Sequence, residues 1–313
     1  MKVLVAGCGS IGRRHISTLI DSDRIEQIAI YTQNKDCLEG LNDKGKVLSV
    51  NAIDHVNADF AVIANDTHRH IDTALQLADR GIHLFIEKPL SHNLDNIDAL
   101  KERADQKGVK IYIGYNLRFL GILQQIRTLL RETALGDLYF GRIEVGQYLP
   151  QWRKGTDYRK SYSASNERGG GVALDLSHEI DYMRYLFGDP VSWKVMRSRT
   201  GTLEMDAEDM FEGMYLYQNG SICSVHMDCL QKKPNRCIRI EGSRGTLFCD
   251  IIGKKMTVVS DGAEQIINDE GLFDVNRTYR DEMAHFMDVV ENRCDPAVTL
   301  DDGTAVLRLI HDR

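Results

Sequence analysis

The first twenty residues limit the fold more than any other part of the chain. Lys2–Ala6 is a short apolar run rich in valine, which predicts a buried strand. Gly7-Cys8-Gly9-Ser10-Ile11-Gly12 follows at once, and a helical pattern runs from about Ile11 to Ile20. Strand, G-x-G-x-x-G turn and helix, in that order, form the pattern of a dinucleotide-binding turn. Each glycine has a mechanical reason. Gly7 permits the tight turn, Gly9 lets the backbone approach a pyrophosphate, and Gly12 lets the helix pack closely on the strand. The first N–H groups of a helix have no partners inside it, so the backbone of Ser10, Ile11 and Gly12 is expected to cradle an anion.

The rest of the first third alternates between the two element types. Ile25–Tyr31, Asp59–Ala64, His83–Glu87 and Lys110–Gly114 read as strands. Cys37–Lys44, His68–Arg80 and Asn93–Lys107 read as helices. Such alternation predicts a doubly wound parallel sheet, with ligands at the carboxyl ends of its strands. Thr32, Asn65 and Thr67 stand just past such ends and are expected to touch the cofactor. An acidic residue after the second strand would hold the ribose hydroxyls of NAD; here Tyr31-Thr32-Gln33-Asn34-Lys35 carries none before Asp36. With Lys35 close by, the site tilts slightly toward NADP. His68-Arg69-His70 is not expected to bind a metal, because residues two apart do not share a helix face.

After about residue 118 the pattern changes. A helix at Leu120–Thr133 leads to a strand at Tyr139–Tyr148 and a polar loop from Pro150 to Arg168. Gly169-Gly170-Gly171 opens one long helix, Val172–Phe187. Seven strands follow between Val191 and Ile267, with an Asn219-Gly220 hairpin turn among them, and helices at Asn276–Glu291 and Asp301–His311 close the chain. The expected architecture is a Rossmann domain, residues 1–118, followed by an α/β domain with a large, mostly antiparallel sheet, residues 119–313.

The net charge of −7 argues against nucleic acid or an acidic membrane as partner. No apolar run approaches the roughly 20 residues of a membrane span, and Lys2–Ala6 is too short for a secretory leader, so the expected location is the cytoplasm. The seven cysteines are scattered and contain no C-x-x-C pair, which argues against a disulfide framework or a zinc site. Cys8 is the exceptional thiol, since the adjacent helix start would lower its pKa.

Two constellations carry candidate chemistry. Glu87-Lys88-Pro89 ends a predicted parallel strand on the cofactor edge, where a lysine can hydrogen-bond a substrate hydroxyl and offset developing charge. The alternative is a surface lysine in a turn. In the predicted helix Val172–Phe187, Asp175, His178 and Asp181 recur every third residue and so share one face. A histidine beside a carboxylate suits proton transfer near neutral pH; a salt-bridged polar stripe is the alternative.

Taken with Gly114-Tyr115-Asn116-Leu117-Arg118-Phe119, these segments make the whole chain resemble the glucose–fructose oxidoreductase / inositol dehydrogenase / rhizopine-catabolism (Gfo/Idh/MocA) family of NAD(P)-dependent oxidoreductases. The resemblance implies hydride transfer at a secondary alcohol or ketone of a sugar, polyol or sugar nucleotide. It implies Lys88 as the active-site lysine, His178 as acid/base and Asp175 as its partner, with no metal. Glu87 and Lys88 join the cofactor contacts, and Arg118, Trp152, Arg153 and Tyr158 join Lys88, Asp175 and His178 around the substrate. It also implies a homodimer or homotetramer through the open face of the second sheet. Relatives often space the aspartate and histidine four apart and carry Thr-Pro-Asn where this chain has Asn65-Asp66-Thr67; here the spacing is three. The loop Gln151–Tyr162 resembles a branch found with bacterial surface-sugar genes. Some relatives oxidise a sugar only transiently to eliminate or hydrolyse a glycosidic bond, and a non-catalytic cofactor-binding sensor is a further alternative.

Overall fold

The computed structural model describes residues 1–33, 39–40, 44–152 and 155–312. The helix expected at Cys37–Lys44, the charges Lys35 and Asp36, and Arg153 lie wholly or largely outside these residues. The described chain forms two compact units: Met1–Tyr115 with Tyr279–Leu307, and Asn116–Thr278 with Arg308–Arg313. The expected division was contiguous, at residue 118; in this grouping residues 279–307 fall with the first unit. That grouping follows apolar burial. Phe286 is fully buried with its ring against Phe60, Phe85 and Tyr112, contacts that sequence separation conceals.

The first unit is built on strands β1 (Lys2–Ala6), β2 (Gln27–Tyr31), β3 (Val47–Val50), β4 (Phe60–Ile63), β5 (His83–Glu87) and β6 (Ile111–Gly114). They pair in parallel in the order β3-β2-β1-β4-β5-β6. The helices are α1 (Ser10–Ile20), α2 (His70–Ala78) and α3 (Ile97–Lys107). The strand order reverses at β1, so the crevice beside its carboxyl end is the topological switch point where such sheets take ligands. Strands β1, β4 and β5 are buried almost throughout, which is why they read as unbroken apolar runs. β3 was not expected: it is an edge strand whose Leu48 and Ser49 are exposed, and it lacks that signature.

In the second unit, α4 (Gly121–Arg131), α5 (Val172–Asp175) and α6 (His178–Phe187) accompany an eight-stranded sheet. Its strands are β7 (Leu138–Gly146), β8 (Ser192–Ser198), β9 (Met210–Leu216), β10 (Ile222–Asp228), β11 (Asn235–Gly242), β12 (Gly245–Asp250), β13 (Lys255–Ser260) and β14 (Ala263–Ile267). The order is β14-β13-β12-β11-β7-β10-β9-β8, antiparallel except for the parallel pair β7–β10. The Asn219-Gly220 turn joins β9 to β10 as expected, with Tyr217 N–H donating to Ser221 O at 2.9 Å. Alternation along these strands puts Phe211, Tyr215, Cys223, Val225 and Leu247 in the core. The opposite face shows Met196 (74% exposed), Met214, Leu216, Ile222 and Phe248. The last two helices are α7 (Val275–Val290) and α8 (Leu300–His311). Among the described residues no helix is long and apolar enough to cross a membrane.

Candidate active site

The glycine turn has the expected mechanics. Gly7 lies at φ +104°, and a Cβ there would overlap Ala64 O and Asn65 N, so only glycine lets β1 meet the end of β4. A Cβ on Gly12 would overlap the Gly7 carbonyl, whereas a Cβ on Gly9 meets nothing within 4 Å. The protein therefore fills the space beside Gly7 and Gly12 and leaves the space beside Gly9 open. The first intrahelical bond of α1 is Arg13 N–H to Gly9 O, and Gly9 supplies no side-chain cap. The amides of Ser10, Ile11 and Gly12 thus stand at the free N-terminus of an eleven-residue helix, a donor set that fits a pyrophosphate. Gly7 N–H donates to Tyr31 O at 2.9 Å, which brings Thr32 alongside the turn.

One expectation about the cysteines is corrected. Cys8 is disulfide-bonded, so it has no thiol whose pKa the helix start could lower, while Cys223, Cys229, Cys237, Cys249 and Cys294 are free.

Asn65 and Thr67 follow β4 at the same sheet edge. Asn65 Nδ2 donates to Thr73 Oγ1 at 2.9 Å, and Thr67 is buried at the start of a 3₁₀ turn, Thr67–Arg69, that leads into α2. His70 ties this edge together. Its Nδ1 lies 3.0 Å from Pro89 O and its Nε2 3.1 Å from Asn65 O. Burial lowers its pKa, and the two carbonyls oppose that shift. Among the described residues no group of histidine, cysteine and carboxylate side chains could hold a metal.

Lys88 is half-buried at the carboxyl end of β5, followed by a cis bond to Pro89. Glu87, expected to face the cofactor, is 5% exposed and turned into the protein. Its Oε1 lies 2.5 Å from His15 Nε2, and its Oε2 accepts the Lys88 backbone N–H at 3.1 Å. The sequence reading missed His15. Its signal was available: Gly12, His15, Ile16 and Leu19 make up the buried face of α1, and a histidine on such a face needs a polar partner.

In the second unit the expected single helix is broken. α5 ends at Asp175 and α6 starts at His178, with Leu176-Ser177 between them. Asp175 and His178 therefore flank a tight turn and do not share one helix face, as the i, i+3 spacing had predicted. The start of α5 is capped from a distant segment: Val172 N–H donates to Glu208 O at 3.0 Å, and Glu208 Oε1 accepts from Ala173 N–H at 3.4 Å. Burial raises the Glu208 carboxyl pKa, backbone hydrogen bonds oppose the shift, and the negative charge of Asp175 adds to it. Asp175 and His178 are 6% and 9% exposed.

The other acids of this segment are structural. Asp181 takes a forked pair from Arg118, Nε at 3.0 Å and 3.1 Å and Nη2 at 2.6 Å. Glu179, fully buried, accepts from Arg236 Nε at 2.8 Å and from Tyr182 OH at 3.1 Å. Arg118, expected at the substrate, thus has its guanidinium against Asp181, with the Tyr185 ring 5.6 Å away. Trp152 and Tyr158 line a small cavity with Leu149, Thr156, Ser161 and Ser163. Trp152 Nε1 donates to Gln147 O, and Tyr158 OH accepts from Glu204 N–H. In the same loop Arg159 is bound to Asp157 at 2.8 Å and 2.9 Å.

Residues 1–115 match the model of an oxidoreductase family with an NAD-binding Rossmann fold, and residues 123–248 match the GFO/IDH/MocA C-terminal domain. The chain is 26% identical over 332 residues to myo-inositol 2-dehydrogenase of Thermotoga maritima, covering 99% of this chain and 94% of the relative. It is 24% identical over 338 residues to scyllo-inositol 2-dehydrogenase (NAD(+)) of Bacillus subtilis, covering 99% and 92%. The fold matches that of the WlbA dehydrogenase from Bordetella pertussis in complex with NADH and UDP-GlcNAcA. There the TM-score is 0.86 at 19% identity, over 99% of this chain and 93% of that one.

Proposed function

Since the chain belongs to the GFO/IDH/MocA family of oxidoreductases, we propose that it moves a hydride between a nicotinamide cofactor and a secondary alcohol, or the matching ketone, of a sugar, polyol or sugar nucleotide. The observation that carries this reading is a coincidence on one sheet edge. Lys88 follows β5 on the edge where β1 delivers the glycine turn with its open side at Gly9. The amides of Ser10, Ile11 and Gly12 hold the pyrophosphate, Thr32 meets the ribose, and Asn65 and Thr67 face the nicotinamide half. Bound NAD(P) supplies the hydride acceptor or donor. Lys88 hydrogen-bonds the reacting oxygen and offsets its developing charge. His178 takes or returns the hydroxyl proton, and Asp175 sets its basicity. Trp152 and Tyr158, beside the hydroxyls of Thr156 and Ser161, are assigned to the substrate side.

The turn after β2 supports NADP as the preferred cofactor, because Thr32 and Gln33 place no carboxylate there. The exposed Met196, Met214, Leu216, Ile222 and Phe248 support a homodimer or homotetramer formed through the open face of the eight-stranded sheet. The cytoplasm, where NAD(P) is pooled, is the proposed location, and surface-sugar synthesis the proposed setting.

The test is a panel of myo-inositol, scyllo-inositol and UDP-GlcNAcA, each with NAD⁺ and NADP⁺, followed at 340 nm. Turnover of at least one, with NADPH bound more tightly than NADH, is expected. Tight cofactor binding with neither absorbance change nor product from any polyol, sugar or sugar nucleotide would point to a non-catalytic protein, and product without absorbance change to transient redox.

A further inference from the structure

Glu87 is buried, and its carboxylate is engaged by protein groups. Both its oxygens are committed within the first unit, one to His15 Nε2 at 2.5 Å and the other to the Lys88 N–H at 3.1 Å. Space for this arrangement is kept open by Gly114 on β6, where a Cβ would stand 3.2 Å from Glu87 Oε1 and 3.3 Å from its carboxyl carbon. His15 is fully buried, edge-on to Phe85 at 5.1 Å and to Tyr279 at 6.2 Å, so its ring has little room to turn. Its Nδ1 has no hydrogen-bond partner among the described residues. The tautomer protonated at Nε2 leaves only a bare lone pair at Nδ1, which costs less than an unsatisfied donor there. The Nε2 proton is then donated to Glu87.

From this chain of contacts we infer that His15 is a positioning residue for Lys88. It fixes the carboxylate that in turn fixes the lysine's backbone. His15 lies on α1, the helix whose N-terminus carries the glycine turn, so the cofactor cradle and the lysine turn are joined through one buried hydrogen bond. The Pro89 carbonyl is tied separately to His70, so loss of His15 releases only the Lys88 side of that turn. The inference rests on the reading that Lys88 acts at the substrate oxygen.

Two readouts test it. The first needs no substrate: hydrogen exchange of the Lys88 amide, followed by NMR in the whole protein. His15→Leu should speed that exchange at least tenfold while leaving Leu84–Ile86 unchanged. His15→Gln, whose amide reaches the Nε2 position, should restore it to within about threefold. Should the leucine variant fail to fold, Glu87→Met keeps a similar length and removes both acceptor oxygens, and the same tenfold rise is expected. Unchanged exchange at Lys88 in the folded variants overturns the inference. The second readout is kinetic, with myo-inositol as first probe or whichever panel compound is turned over fastest. His15→Leu should lower kcat at least tenfold with KM and NADH affinity within threefold, and should cause no further loss in a Lys88→Met background. Full loss in Lys88→Met with normal kcat in His15→Leu overturns the inference alone. Near-normal kcat in Lys88→Met overturns the role of the lysine and the inference together.

Discussion

Two neighbouring glycines of one motif should fail in opposite ways. Gly9 has φ −74° and ψ −166°, a conformation open to alanine, and its missing Cβ faces no atom within 4 Å. Gly9→Ala should therefore change stability by less than about 0.5 kcal/mol. The added methyl occupies the side from which a pyrophosphate reaches the amides of Ser10–Gly12. Loss of one such charge-assisted hydrogen bond, about 1.5–3 kcal/mol, weakens cofactor binding by roughly 10- to 150-fold. Gly12→Ala instead drives a methyl into the Gly7 carbonyl. Overpacking of that kind costs about 1–3 kcal/mol, or a Tm lower by roughly 3–10 °C. Thermal unfolding and fluorescence titration with NADH and NADPH separate the two effects. If Gly9→Ala binds cofactor like the parent, or if both variants lose stability equally, the assignment of the open side to a dinucleotide is wrong.

Other variants probe the second unit and the pH response. His178→Ala should cut turnover by about 10²- to 10⁴-fold, the range of a lost general acid/base, while NADH affinity stays within threefold; stopped-flow reduction and a binding titration check it. Arg236→Met strands the buried Glu179 carboxylate and should cost about 3–5 kcal/mol in chemical denaturation. On β10, hydrogen bonds from His226 to Asp228 (3.0 Å) and to Glu212 (2.6 Å) raise its pKa to about 9. The folded state thus holds the proton more tightly than the unfolded chain. Its contribution is complete below pH 6.5 and is lost as pH rises through about 9, a fall of about 2 kcal/mol after allowing for solvent screening at a ring 28% exposed. Urea unfolding of the parent and of His226→Gln from pH 6 to 10 should show that loss in the parent only.

The first unit was largely legible in the residues because its strands are buried on both faces. Runs such as Phe60–Ile63 and Leu84–Ile86 have no polar alternation to confuse them, and the glycine spacing placed the turn. What escaped notice depends on distance along the chain. Glu87 meets His15 across 72 residues and Arg118 meets Asp181 across 63, and no local pattern says which charges will pair. The bonds from His15 and from the Lys88 N–H to the buried Glu87 carboxylate are likewise signalled by no local pattern. The break at Leu176-Ser177 was hidden because the helical periodicity runs on through it. The parallel pairing of β7 with β10 also defeats a reading by neighbours, since α5, α6, β8 and β9 intervene.

The proposed reaction moves a hydride between a substrate carbon and nicotinamide, with His178 proposed as proton acceptor and Lys88 as the group that steadies the oxygen. Its most direct test is a single turnover with myo-inositol deuterated at its carbons, or the equivalent label in the best panel substrate, with the cofactor recovered and read by NMR. Deuterium at nicotinamide C4 is predicted in the parent, with transfer slowed at least a hundredfold in both Lys88→Met and His178→Ala. Deuterium found in solvent or retained on unreacted substrate, or full-rate transfer in both variants, would contradict the account.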